Sequence, residues 1–225
     1  MFSYEIDLRN EYKRVVEWNL KAGKVPHEVT QKDIYNQKGL VDEEVAEFRV
    51  ELEKLFAGSI DEETQINALK ELCDVFVVSC YLDFLQIMEK DEYISLTTAS
   101  QVMHQLFDED YITGFSDLEA EDVFRNVTTL TNLKLVIMGI CEGPELPFSD
   151  ILNAVLDNND LKIYTSIAEA DEQLTLLGNE EDYYVDVNTH AGTEYYCVKR
   201  KSDDKVMKPK DLPKVDIRKI IGLED

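Results

Sequence analysis

The segment from about 61 to 88 constrains this chain most, because it has helical periodicity yet is apolar on two opposite faces. Leu69, Leu72, Cys73, Phe76, Cys80, Phe84 and Ile87 form one stripe, and Val75, Val78, Leu82 and Leu85 form the other. A helix that is apolar on both sides needs neighbours on both sides, so this one is predicted at the middle of a helical bundle. Glu71 and Asp74 project on the second apolar side, one turn apart.

The segment before it, about 40–56, carries a narrower stripe. Val41, Val45, Phe48, Leu52 and Leu55 are spaced 4, 3, 4 and 3, which is one helix face. Glu44, Glu47 and Glu51 lie beside that stripe rather than opposite it. Gly58 ends this helix, and Ser59 with Glu62 forms a capping box for the next. The connection at 57–61 is short, so the two helices are expected to be antiparallel neighbours.

That pairing brings Glu44-x-x-Glu47 opposite Glu71-x-x-Asp74. Residues three apart are neighbours on a helix, so each pair offers two carboxylates to one spot. Two like charges ~4 Å apart repel by about 4 kcal/mol at an effective dielectric of 20. Either some of these carboxyls are protonated or a cation sits among them. An all-oxygen set suits Mg²⁺ or Mn²⁺, and no His or Cys pattern points to zinc. A solvated acidic face accounts well for Glu43, Glu51 and Glu53. It accounts poorly for Glu71 and Asp74, which share their side with Val75, Val78 and Leu82.

Elsewhere, Tyr12, Val16 and Leu20 mark a first helix stopped by Gly23, and Thr30 with Asp33 resembles a capping start. Ser116 with Glu119 is another capping box, followed by an apolar helical pattern. Ser149 is expected to cap a short helix bearing Ile151, Leu152, Val155 and Leu156. After Gly178 the period changes: YYVDV and EYYCVKRK are β-rich, and Ser202-Asp203-Asp204 supplies a turn. The fold class expected is mainly α: a helical bundle with a small C-terminal antiparallel hairpin or three-stranded meander at 183–208.

Charge narrows the function. The chain has 47 acidic and 23 basic residues, a net charge of −24 and a pI near 4.4, so its field repels nucleic acid and anionic membranes. Residues 91–198 hold 3 basic groups (Arg125, Lys134 and Lys162) against 22 acidic ones, whereas residues 199–225 hold 9 against 6. The opening MFSYEIDLRNEYKR, charged by residue 5, does not read as a secretory leader, and no apolar run approaches the ~20 residues that span a bilayer. Cys73 and Cys80, seven apart, read as core thiols of a reducing compartment. A cytoplasmic protein is expected.

The stretch GLVDEEVAEF followed by KELCDVFVV resembles the EExxE…ExxD pattern of the all-α nucleoside triphosphate pyrophosphohydrolases, which include MazG-like and phosphoribosyl-ATP pyrophosphohydrolase-like enzymes. Asn159-Asp160-Leu161-Lys162 has the Asn-x-x-Lys spacing found near the end of that family's core, and YYCVKRKSDDKVMKPKDLP resembles its hairpin tail, found in many phage members. Glu17-Trp18-Asn19 stands where relatives often carry Phe-His, and Asn19 departs from that pattern. The resemblance covers roughly 10–85 and 148–213. It implies a helical catalytic domain at 1–178, with 89–148 as a helical insertion, and a β appendage with a basic tail at 179–225.

It further implies that Glu44, Glu47, Glu71 and Asp74 hold Mg²⁺, with Mn²⁺ as the alternative ion, and that a nucleotide is hydrolysed to a monophosphate and pyrophosphate. One of the glutamates would orient or deprotonate the attacking water. Lys162 would neutralise a phosphate oxygen, or else satisfy helix-end carbonyls. Asn159 would donate to phosphate or sugar, or cap its helix. Lys199, Arg200 and Lys208 on the hairpin, with Lys201 and Lys205, would reach phosphates or a neighbouring subunit, or else blunt a sheet edge. Trp18, His27 and the tyrosine pairs 183–184 and 195–196 are base-stacking candidates or simply packing. A homodimer or homotetramer is implied, in a host cytoplasm where the member is phage-encoded. Against this stands a different class, an acidic helical protein that mimics DNA or docks a basic partner, motivated by the charge of 91–198. A di-iron bundle needs Glu-x-x-His pairs, which neither carboxylate pair offers.

Overall fold

The computed structural model describes residues 8–24, 29–57, 61–90, 147–178 and 181–222. The elements are α1 (Arg9–Lys21), α2 (Gln31–Phe56), α3 (Glu62–Lys90), α4 (Phe148–Asp160), α5 (Ile167–Leu177), β1 (Tyr183–His190), β2 (Thr193–Arg200) and the short α6 (Ile217–Ile220). The chain is mainly helical with one small antiparallel sheet, as its periodicities require. The 89–148 insertion and its Ser116 cap fall almost wholly outside the described residues, as do Gly58, Ser59 and His27.

Two compact units share the chain. The first comprises residues 1–13, 28–153 and 216–225, and the second 14–27 and 154–215. This division differs from a cut at 178, because segments of α1 and α4 join the hairpin.

In the first unit, α2 and α3 pack as antiparallel neighbours. Gln31 bonds Glu89 and Gln37 bonds the carbonyl of Val78, so numbers fall on α3 as they rise on α2. Thr30 and Asp33 make the expected capping box. At α3, Asp61 does the capping: its carboxylate accepts from the N–H and the hydroxyl of Thr64, both at 2.9 Å. Both stripes of α3 are buried apart from Val78 and Ile87, which are half-buried; Leu72, Cys73, Val75 and Cys80 are completely enclosed. Each such aliphatic side chain contributes ~1.5–3 kcal/mol relative to exposure. Phe76 meets Phe148 edge-on at 6.5 Å. Ser149 departs from its expected role. The carbonyl of Pro147 opens α4, and Ser149 Oγ, already inside the helix, donates to Glu11 at 2.9 Å.

In the second unit, Gly23 ends α1 with φ +63°, and the Lys24 N–H closes back on the Asn19 carbonyl at 2.9 Å. Strands β1 and β2 pair from Tyr183↔Arg200 to His190↔Thr193 through a turn at Ala191-Gly192, both at positive φ. Of the third strand of the expected meander only the isolated bridge Lys199↔Val206 is formed; together with a second bridge, Tyr164↔Tyr196, it covers the outer edge of β2. Ala22, Cys197 and Val206 form the core here, with Trp18 and Ile163 against it. Among the described residues no helix is long and apolar enough to cross a membrane.

Candidate metal centre

The register of α2 against α3 decides the geometry of the carboxylates. Glu44, Glu47 and Glu71 each place one carboxylate oxygen in a group whose members all lie within 4.8 Å of one another. Glu44 and Glu71 are partly buried and Glu47 is exposed, so the group opens to solvent on one side. Asp74 falls outside that group of three but stands beside it.

The electrostatics show how crowded the group is. Glu44 is pushed up to about 7, first by burial and then by the charges of Asp74, Glu47, Glu71 and Glu43. Lys70 brings one positive charge: its Nζ donates to Glu71 Oε1 at 2.7 Å and to Asp74 Oδ2 at 3.3 Å. Burial acts to lower the Lys70 pKa, but the bond to Glu71 and the charges of Asp74 and Glu71 outweigh it and raise it. One ammonium against four carboxylates leaves a net negative site. The second oxygen of Glu71, Oε2, is buried and has no hydrogen-bond partner among the described residues.

These residues fit a hard divalent cation. The oxygens around an octahedral Mg²⁺ at ~2.1 Å stand ~3–4 Å apart, so the observed spread needs only small side-chain adjustments. An uncoordinated buried carboxylate oxygen is a costly thing to leave, and coordination satisfies it. Comparison with family models, curated proteins and solved structures finds no match to this chain. The chemistry of the site therefore rests on the residues themselves.

The other sequence-selected residues lie in the second unit. Lys162 Nζ bonds Asn159 Oδ1, and the Asn159 carbonyl accepts from Trp18 Nε1 at 2.9 Å, so Asn159 links a lysine to a packed indole. Lys199 is buried, 5% exposed, and ion-paired with Asp186. Arg200 forks onto Asp203 within the turn. Lys208 is exposed. The charges of Lys199 and Arg200 are thus satisfied inside the hairpin. Tyr184 donates to Asp204 at 2.8 Å and Tyr195 takes the ammonium of Lys21 over its ring. Asn19 is buried, with its amide donating to the Val15 carbonyl at 2.8 Å.

Sequence reading missed three contributors. Glu51 is not the solvated residue expected: its side chain is 15% exposed, Oε1 accepts from Lys54, and Oε2 is buried with no partner among the described residues. Lys70 was legible as the i,i+4 partner of Asp74. Gln37 gave no signal at all.

Proposed function

We propose that the chain is a Mg²⁺-dependent nucleotide pyrophosphohydrolase, cleaving a nucleoside triphosphate or related nucleotide between the α and β phosphates to a monophosphate and pyrophosphate. The observation that carries this reading is the convergence of Glu44, Glu47 and Glu71 oxygens within 4.8 Å from two adjacent helices. Glu44, Glu47 and Glu71 supply the ligand oxygens, with Asp74 beside them. A cation bound there neutralises charge on the phosphate chain and acidifies water. Glu44, whose carboxyl holds its proton up to about pH 7, releases that proton as the cation takes its place. Lys70 holds the Glu71 and Asp74 carboxylates in position. The resemblance of the two carboxylate motifs to the pyrophosphohydrolases supports a homodimer or homotetramer, and the core thiols Cys73 and Cys80 support a cytoplasmic setting.

A panel of nucleoside triphosphates with product identification, run with Mg²⁺ or Mn²⁺ and then with EDTA, tests the reading. Pyrophosphate and a monophosphate are expected, with loss of both in EDTA and in Glu47→Gln or Glu71→Gln chains that keep their helical circular dichroism. No turnover across the panel with either ion would overturn it.

A further inference from the structure

The hairpin has two long edges, and only one of them is met. Tyr196 exchanges both of its backbone hydrogen bonds with Tyr164, at 2.8 and 2.9 Å. The Val198 carbonyl accepts from the Met207 N–H at 2.8 Å, and the Arg200 N–H donates to the Lys205 carbonyl at 3.0 Å. Tyr196, Val198 and Arg200 therefore turn their backbone groups away from β1.

Their partners in the ladder do the same on the other side. Directly opposed residues of an antiparallel pair either bond each other or both face outward. Val187 stands opposite Tyr196, Val185 opposite Val198, and Tyr183 opposite Arg200. Alternation adds Thr189, opposite Glu194. The N–H and C=O groups of Tyr183, Val185, Val187 and Thr189 thus line the outer edge of β1. None of them has a backbone partner among the described residues. Val187 is 49% exposed, and Thr189 is exposed as well. Native proteins blunt such an edge with Lys, Pro or a bulge. Here YYVDVNTH holds no Lys or Pro, and its register runs unbroken from Tyr183 to His190.

We infer that the outer edge of β1 binds the same edge of a second copy of this chain, antiparallel about Val187, to make a four-stranded sheet. This gives a surface to the homo-oligomer proposed above and rests on that part of the reading, but it needs nothing from the carboxylate centre. A two-fold axis at Val187 makes the strand its own complement. Val187 meets the partner's Val187, Val185 the partner's Thr189, and Tyr184 the partner's His190. Asp186 meets the partner's Asn188, an amide of the kind that already donates to the Asp186 carboxylate at 2.9 Å within the strand. An axis one residue earlier would instead set Asp186 against itself. Asp186 is the one acidic residue of β1 and is ion-paired with Lys199, so this edge adds no net charge on a chain of −24. Tyr164 and the 205–207 segment occupy the far edge of β2, so the sheet closes at four strands instead of growing.

Sedimentation equilibrium of the full chain over a concentration series tests the pairing, with Val187→Pro as the variant. The Val187 N–H faces outward, so proline there removes a donor between subunits and no bond of the hairpin. A reversible dimer is expected for the wild type, weakened at least tenfold by Val187→Pro. Should that variant fail to fold, amide exchange of the wild type decides: protection of Val185, Val187 and Thr189 is expected to rise with protein concentration. A dimer that keeps its affinity in Val187→Pro, or that leaves those amides unprotected, overturns the pairing and moves the homo-oligomer to another surface. A monomer at every concentration overturns the pairing and the homo-oligomer together, while nucleotide hydrolysis keeps its own test.

Discussion

Gln37 on α2 donates through Nε2 to the backbone carbonyl of Val78 on α3 at 2.8 Å. Gln37 is seven residues before Glu44 and Val78 seven residues after Glu71, two turns along each helix, so this bond sets the register in which the carboxylates meet. Gln37 is 7% exposed, and Gln37→Leu keeps its bulk while removing the bond. Urea denaturation is expected to show a loss of about 1 kcal/mol. Calorimetry should also show weaker Mn²⁺ binding, although the side chain belongs to no ligand set.

The raised pKa of Glu44 gives the metal-free chain a defined pH response. A carboxyl whose folded value of about 7 exceeds its usual 4.5 holds its proton more tightly in the folded chain. The stability this contributes is complete below about pH 4.5 and is lost as pH rises through about 7. In EDTA, wild-type stability should therefore fall between pH 5 and 8 by more than that of the Glu44→Gln chain. Equal slopes in urea titrations would show that Glu44 is not the group responsible.

Divalent cation should reverse that loss. Ligand at a hundred times its Kd stabilises the folded state by about 2.7 kcal/mol when the unfolded chain does not bind it. Thermal unfolding of the wild type at pH 7.5 with excess Mn²⁺ should show a gain of that order. Glu71→Gln removes a ligand and one of the charges acting on Glu44, so it should abolish most of the gain and leave metal-free stability unchanged or higher.

Gly23 offers a test in the second unit. A Cβ there would overlap the Asn188 amide, and φ is +63°. Gly23→Ala should cost more than the ~1–2 kcal/mol of left-handed backbone alone. Pairing it with Asn188→Ala should recover the excess and no more, as read by chemical denaturation.

Much of this fold is written in periodicity. The 4, 3, 4, 3 spacing from Val41 to Leu55 and the two faces of α3 state which residues share a side, and burial follows them. The short connection then leaves Glu44 and Glu47 little choice but to meet Glu71. Periodicity says nothing of partners far along the chain. Ser149 looks like a cap because serine before a helix usually is one, yet Glu11, 138 residues earlier, takes its hydroxyl. Glu51 looks solvated because most helical glutamates are. Lys199 looks like an edge cation, but cover on both sides of β2 buries it against Asp186. At Ser149 and Lys199 a contact from elsewhere in the chain overrides a local preference.

The path of water oxygen tests the proposed chemistry most directly. The full chain is incubated with nucleoside triphosphates and Mg²⁺ in ¹⁸O-water, and the products are weighed by mass spectrometry. Attack at the α-phosphorus puts the label in the nucleoside monophosphate and none in pyrophosphate, and turnover stops in EDTA and in Glu47→Gln. Label in released phosphate or pyrophosphate, or turnover that survives both EDTA and Glu47→Gln, would contradict hydrolysis at the Glu44, Glu47 and Glu71 centre.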